Sequence, residues 1–321
     1  MAHILITGAA GFIGSHLTDR FLAEGHRVTG IDNFVRGVRA NLADALSHPK
    51  FRLLEANLAD GAEAQSSFEE ASRTEPVSEV WHMAANSDIG AGIADPQVDL
   101  RDTFLTSFHT LTRMRALGIP QLAFASSSAI YGAHKDTIHE DLGPLQPISN
   151  YGAMKLASEG LISAAVETFL SRAYIFRFPN VIGSRATHGV IYDLLHKLRK
   201  SGAELEVLGD GSQLKPYLHV SELIDAMRFI AGHAAERLNC FNIAGAGDGA
   251  TVRFIAEQVV AVASPDSPIR YTGGNRGWVG DVPTYSYSTR KLASLGWTPS
   301  MTSEQAVRKA CQEIYLEVCK P

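Results

Sequence analysis

Thr7-Gly8-Ala9-Ala10-Gly11-Phe12-Ile13-Gly14 decides how the rest of the chain is read. The segment before it, His3-Ile4-Leu5-Ile6, is short, largely apolar and β-branched, the mark of a buried strand. After it, Phe12, Ile13, Leu17, Phe21 and Leu22 recur at helical spacing. Gly8, Gly11 and Gly14 therefore stand where a strand turns into a helix. A side chain there would block the tight turn, the approach of a pyrophosphate to the backbone, or the packing of helix on strand. The helix start, with Phe12 and Ile13, offers free N–H groups and a positive dipole end to phosphate. A second strand, Val28-Thr29-Gly30-Ile31-Asp32, ends in an acid about 20 residues further on, where a carboxylate accepts from both hydroxyls of an adenosine ribose and repels a 2′-phosphate.

The spacing is Gly-x-x-Gly-x-x-Gly, which resembles the short-chain dehydrogenase/reductase superfamily, and Gly11-Phe12-Ile13-Gly14 resembles its extended, sugar-nucleotide branch. The other reading is an ordinary glycine-rich turn with a solvated Asp32.

Outward from this turn, strands and helices alternate. Phe51–Ala56 reads as a third strand, Glu63–Ser72 as a helix, Glu79–Ala85 as a fourth strand, Pro96–Leu117 as one long helix, and Gln121–Ala125 as a fifth strand apolar on both faces. A helix from about Tyr151 to Phe169 and a sixth strand, Arg172–Phe178, follow. This alternation predicts an α/β fold, a Rossmann-type doubly wound parallel sheet. Residues 1–179 are expected to form the NAD-binding domain and 180–321 mainly a smaller, interleaved α/β substrate-binding lobe. Segments near 215–245, with a strand around Cys240–Ile243, are expected to return to the sheet.

The chain has 321 residues, of which 45% are hydrophobic and 20% charged, with a formal net charge of −5 and no basic block. That composition argues for a globular enzyme-sized chain and against nucleic acid or an anionic membrane as partner. No signal-peptide pattern and no spanning apolar run is evident, and Cys240, Cys311 and Cys319 form no framework, so a cytoplasmic location is expected. The scattered histidines show no metal-ligand spacing, and no metal is expected. His82 reads as a core histidine at a strand end.

Tyr151 and Lys155 stand at i and i+4, on one helix face, and Ser127 lies at the end of the strand before. A free phenol has a pKa of about 10, and bringing it to about 7 takes roughly 4 kcal/mol of differential stabilisation, from a nearby ammonium and a cationic nicotinamide ring. The phenolate then takes a carbinol proton while Ser127 hydrogen-bonds the same oxygen. Ser128 is the alternative hydroxyl, and Tyr131 reads as packing.

Thr7–Gly14, Asp32, His82–Ala85, Ser126–Gly132, Tyr151/Lys155, Arg177-Phe178-Pro179-Asn180, Lys215–Val220 and Gly280-Asp281-Val282-Pro283 together resemble the NAD-dependent epimerase/dehydratase family, closest to its UDP-glucose 4-epimerase type. The resemblance implies bound NAD held by Gly8, Gly11, Phe12, Ile13, Gly14, Asp32, Asn33, Asn57, Leu58, Ala84, Ala85, Tyr151 and Lys155. It implies Ser127, Tyr151 and Lys155 as the catalytic set. For a UDP-sugar or other NDP-sugar substrate it implies Ser127, Ser128, Asn180, Gly189, Val190, Val207, Lys215, Arg276 and Tyr285. Lys215 stands where the family usually has Arg, which replaces a bidentate fork by a point charge, and Lys215 and Arg276 read equally well as solvated surface charges. Asn57 stands for the family's usual Asp, and Thr103 for its usual Asn. Ser128 and Ala129 stand where related dehydratases carry an acid pair, which disfavours elimination. The implied reaction is 4-epimerisation through a 4-keto sugar, most directly of UDP-glucose/UDP-galactose. UDP-glucuronate, a UDP-pentose, a GDP-linked higher sugar, a net oxidoreductase or decarboxylase, and a non-catalytic binder are the alternatives. A homodimer through a four-helix interface is implied as well, with Leu156, Leu161, Ala164, Ala165 and Thr168 as a packing face.

Overall fold

The computed structural model describes residues 1–134, 137–274 and 286–318. The chain divides into two compact units that alternate along the sequence: residues 1–132, 143–177 and 227–241 in the first, and 133–142, 178–226 and 242–321 in the second.

The first unit is built on a seven-stranded sheet. Six strands come in chain order: β1 (His3–Thr7), β2 (Arg27–Asp32), β3 (Phe51–Glu55), β4 (Glu79–His82), β5 (Gln121–Ala125) and β6 (Arg172–Arg177). Their registers are all parallel. Leu238–Asn242 lies beside β6, and the spatial order from that edge is Leu238–Asn242, β6, β5, β4, β1, β2, β3. The order reverses between β1 and β4. In a doubly wound sheet that switch point opens a crevice at the carboxyl ends of the strands. The helices α1 (Phe12–Ala23), α2 (Gly61–Ser72), α3 (Thr106–Leu117) and α4 (Asn150–Thr168) connect these strands. Apolar residues of β1, β4, β5 and β6 form one core with α2, α3 and α4: Leu5, Val80, Phe124 and Ile175 meet Phe68, Met114 and Ile162. On the other face, Trp81 is fully buried between Phe21 and Phe176.

Two elements differ from the sequence expectation. The fourth strand stops at His82, because the next residues leave the sheet to meet the β1 turn. Pro96–Leu117 is not uniform: Pro96–Asp99 and α3 flank a π-helical stretch, Leu100–Leu105, in which the Thr103 carbonyl accepts from the hydroxyls of Thr106 and Ser107 at 3.0 Å each. Hydroxyls that bond backwards this way open the ordinary i to i−4 ladder. On α4, Ala165 is buried and Leu161 packs against the unit's own core, whereas Ala164 and Thr168 are exposed.

The second unit packs helices Val190–Ser201, Val252–Ala263 and Ser303–Val318 around a core that includes Leu194, Leu198, Leu205, Val259, Val307 and Ile314. Its strands pair in twos: Asn180–Ile182 with Tyr217–His219, Leu214–Lys215 with Ala250–Thr251, and Leu205–Val207 with Ile269–Tyr271. Ser303–Val318 is anchored by Glu313, which accepts from the ring of His219 at 2.9 Å and from the Ser184 N–H at 3.1 Å.

Candidate active site

At the switch point the glycine turn is fixed by contact, not only by conformation. Gly8 has φ +67°, and its N–H donates to the Ile31 carbonyl at 2.8 Å. A Cβ on Gly8 would stand 2.8 Å from the Ala84 nitrogen, and one on Gly14 would stand 2.0 Å from the Gly8 carbonyl oxygen. The turn after β1 and the segment after β4 therefore touch backbone to backbone. No side chain caps the start of α1, and its first turn holds no acid. The donors there stay available to an anion. Asp32 ends β2 with its carboxylate buried. It accepts from the Ala10 N–H at 2.9 Å and the Phe34 N–H at 2.8 Å, which braces the turn from behind. Burial raises its carboxyl above the usual range, and these N–H bonds work against that rise. Asn33 donates to Asn57 Oδ1 at 3.4 Å, so the residues closing β2 and β3 meet. The Leu58 side chain belongs to the core, and its carbonyl accepts from the His109 ring at 3.0 Å, so that residue has little besides its N–H to offer a ligand. This glycine cradle, with a carboxylate at the end of β2, fits a dinucleotide such as NAD.

The second half of the site is the contact between α4 and the end of β5. Ser149 caps α4 by accepting from the Gly152 N–H at 3.1 Å. A Cβ on Gly152 would stand 2.4 Å from the Ala129 carbonyl oxygen. Glycine there lets the first turn of α4 press on the turn Ser128–Tyr131, which Ser127 caps by accepting from the Ala129 N–H at 3.1 Å. Ser127 and Tyr151 are thereby brought into hydrogen bond. Burial pushes the phenol up to about 12, and the Ser127 bond pulls it down while Asp99 adds to the rise. Lys155 is buried. Its Nζ donates to the Ala125 carbonyl at 2.6 Å and lies 5.8 Å from the centre of the Tyr151 ring. Burial lowers the Lys155 ammonium to about 7, with Glu159 and Asp99 pushing it back up. A hydroxyl, a phenol and an amine of nearly neutral pKa in one cluster can move a proton to or from a carbinol.

Sequence reading missed what lies beneath this cluster. Glu159, one turn beyond Lys155, accepts from Arg177 Nε at 3.0 Å and Nη2 at 2.6 Å, and from the Ser126 hydroxyl. Arg177 also donates to the Tyr131 hydroxyl at 2.9 Å, which gives Tyr131 its packing role. The available signal was Glu159 continuing the i, i+4 series of Tyr151 and Lys155. His82 bonds Thr7 Oγ1 at 2.7 Å and Ser107 Oγ at 3.0 Å inside the core. Burial lowers its ring to about 3, so it is neutral.

The expected substrate residues of the second unit lie apart in its small strands and helix starts. Asn180 donates to the Pro216 carbonyl at 3.3 Å, next to Lys215 in its strand. Gly189, at φ +107°, precedes the helix that begins at Val190, whose start no side chain caps. The Val207 side chain is in the core, while Leu208 beside it is exposed. Arg276, Tyr285 and the Gly280–Pro283 motif lie outside the described residues. No helix among the described residues is long and apolar enough to cross a membrane, and these residues contain no metal-binding cluster.

A glycine cradle at the switch point of a parallel sheet, beside a serine–tyrosine–lysine cluster at the end of β5, places the chain in the short-chain dehydrogenase/reductase class. The model of the NAD dependent epimerase/dehydratase family matches residues 4–244. A UDP-glucose 4-epimerase of Corynebacterium glutamicum is 30% identical over 95% of this chain and 93% of its own. Among solved structures, a UDP-galactose 4-epimerase superposes with a TM-score of 0.84 at 32% identity, covering 98% of this chain and 99% of that one. The UDP-glucose 4-epimerase of Thermus thermophilus, solved in complex with NAD, also reaches 0.84, at 26% identity over 97% of this chain and 98% of that one. The chain belongs to the NAD dependent epimerase/dehydratase family, and its cofactor is NAD.

Proposed function

We propose that this enzyme, an NAD-dependent nucleotide-sugar epimerase, interconverts UDP-glucose and UDP-galactose. The observation that carries the chemistry is the Ser127–Tyr151–Lys155 cluster beside the glycine cradle. Gly8, Gly11, Phe12, Ile13 and Gly14 hold the pyrophosphate, Asp32 and Asn33 the adenosine ribose, Asn57 and Leu58 the adenine, and Ala84 and Ala85 line the path to the nicotinamide. NAD, when bound, supplies the acceptor and donor of the C4 hydride and a positive ring that favours the Tyr151 phenolate. Tyr151 Oη takes the proton of the sugar 4-hydroxyl, and the Ser127 hydroxyl bonds the same oxygen as its charge changes. Lys155, as an ammonium, stabilises the phenolate. The 4-keto sugar turns over, C4 takes back its hydride on the opposite face, and Tyr151 returns its proton to the C4 oxygen. Residues 1–179 carry this chemistry, and 180–321 mainly grip the nucleotide. Asn180, Lys215 and Arg276 hold the diphosphate, Gly189 and Val190 lie beside it, Val207 is near the base, and Ser128 and Tyr285 are at the sugar. We place the enzyme in the cytoplasm, as a homodimer through the Pro96–Leu117 and α4 helices.

The test uses protein purified with no added cofactor and given UDP-galactose, with the anomeric NMR signals followed. Conversion to UDP-glucose supports the reading. Tyr151→Phe is expected to fold and retain NAD but to lose about 10³-fold in kcat, the usual weight of a positioned acid–base group. Retained turnover would overturn the role of Tyr151. Lys215 in the family's usual Arg position favours a second reading, a different nucleotide sugar. Release of NAD on denaturation without conversion of UDP-galactose would select it.

A further inference from the structure

Asp99 ends the short helix Pro96–Asp99 and is fully enclosed. Its Oδ1 accepts from Asn86 Nδ2 at 2.8 Å and from Thr103 Oγ1 at 3.3 Å. Its Oδ2 is buried and meets no hydrogen-bond donor among the described residues. Buried carboxylate oxygens are ordinarily matched, because an unmatched one keeps its full desolvation penalty. The oxygen has room because residue 92 is glycine: a Cβ there would stand 1.7 Å from Oδ2. The Gly92 carbonyl in turn accepts from Asn150 Nδ2 at 2.8 Å, and Asn150 is the residue before Tyr151. The bare oxygen thus sits beneath a contact that fixes the start of α4.

Burial raises the Asp99 carboxyl above the usual range and Asp102 of the π-helical stretch adds to the rise, while the Asn86 and Thr103 bonds and the Lys155 ammonium favour the carboxylate. Asp99 in turn raises both Lys155 and Tyr151 of α4. Glu159, the other carboxylate acting on Lys155, is bound by the Arg177 fork and the Ser126 hydroxyl, so much of its charge is answered. The bonds to Asp99 come from an amide and a hydroxyl, which are neutral donors.

We propose that Asp99 is a positioning residue of the Tyr151–Lys155 pair: its unmatched oxygen is the counter-charge of the Lys155 ammonium and sets the pH range in which the pair works. The inference rests on Tyr151 and Lys155 performing the proton transfer proposed above. A negative charge favours the protonated forms of both groups. Its removal moves both limbs of the activity profile to lower pH, Tyr151 ionising earlier and Lys155 losing its proton earlier.

The experiment measures kcat for UDP-galactose from about pH 5.5 to 9 in the holoenzyme and in Asp99→Asn, which keeps the shape and loses the charge. The ratio of kcat on the acid limb to kcat on the alkaline limb is expected to rise about a hundredfold, about tenfold from a shift of one pKa unit on each limb, with KM little changed. Thr103→Val, which removes one donor from Oδ1 and so favours protonated Asp99, is expected to shift the profile the same way by less. It provides the test if Asp99→Asn does not fold. A uniform loss of kcat with the profile in place means a structural role and overturns the proposal, as does an unaltered profile. If Tyr151→Phe remains active, the site reading itself has failed. If it is inactive and neither Asp99→Asn nor Thr103→Val shifts the profile, only the role of Asp99 has failed.

Discussion

His82 shows how one side chain can be read correctly in kind and still have a consequence that only its surroundings reveal. It bonds Thr7 and Ser107 and stacks on Phe124, and burial holds its ring near 3. An unfolded histidine takes a proton near pH 6.5, whereas the folded one resists until about 3. The unfolded chain therefore binds the extra proton first, and folding stability is full above pH 6.5 and falls as the pH drops towards 3. The expected slope from this residue is about 1.4 kcal/mol per pH unit across the window. Urea denaturation at a series of pH values checks it: His82→Gln should lose that one-proton slope. Equal slopes in the two proteins would mean that His82 is protonated in the native state. The same burial logic separates Tyr151 from Tyr131. Both hydroxyls are bonded, but Tyr151 meets Ser127 and Tyr131 meets Arg177.

At the scale of the element, α4 carries Tyr151, Lys155 and Glu159 on successive turns, and each meets a different part of the sheet's carboxyl edge. Tyr151 meets Ser127, Lys155 the Ala125 carbonyl, and Glu159 the Arg177 fork at the end of β6. The glycine at 152 and the cap at Ser149 set the helix start, and the buried ion pair sets its rotation. Breaking a buried pair leaves an uncompensated charge, so Arg177→Met should destabilise by about 3–5 kcal/mol. The double variant Arg177→Met/Glu159→Leu, which removes both charges, should recover most of that loss. Chemical denaturation of the two variants decides it, and an equally unstable double variant would show that packing, not charge, is at stake. The π-helical stretch at Leu100–Leu105 belongs to this scale too. It displaces Pro96–Asp99 from the register of a uniform helix, and Thr103 within it bonds Asp99.

For the whole molecule, the sheet order places β1 between β2 and β4, so the turn after β1 and the segment after β4 meet at the switch point. All the residues assigned to NAD and to catalysis fall in the first unit, and the described residues assigned to the nucleotide, apart from the Ser127–Ser128 pair, fall in the second. The proposed dimer also belongs here. Phe108 on α3 and Leu100 before it are exposed large apolar residues on the helices that would form it. Phe108→Glu is expected to give monomers by sedimentation while the secondary structure is unchanged. A wild-type monomer would remove the proposal, and a Phe108→Glu dimer would move the interface elsewhere.

The sequence by itself determined what depends on near neighbours along the chain. Glycine spacing against a strand and a helix, alternation of apolar segments, and Tyr151 and Lys155 one turn apart all follow from backbone geometry, which repeats with fixed periods. Those features were enough for the parallel sheet, and they pointed to the glycine turn and to the Ser127, Tyr151 and Lys155 side chains that the fold brings together. The Ser303–Val318 helix escaped because its place is set by contacts with the distant His219 and Ser184. Asp99, Glu159 and Arg177 escaped for the same reason. In sequence Asp99 and Glu159 are ordinary acids of helical stretches, and Arg177, though it opens a matched motif at the end of an apolar strand, gives no sign of its partner. Only tertiary structure decides whether water or another chain segment surrounds a charge, and burial is what turns a solvated carboxylate into a partner for Arg177 or a counter-charge for Lys155.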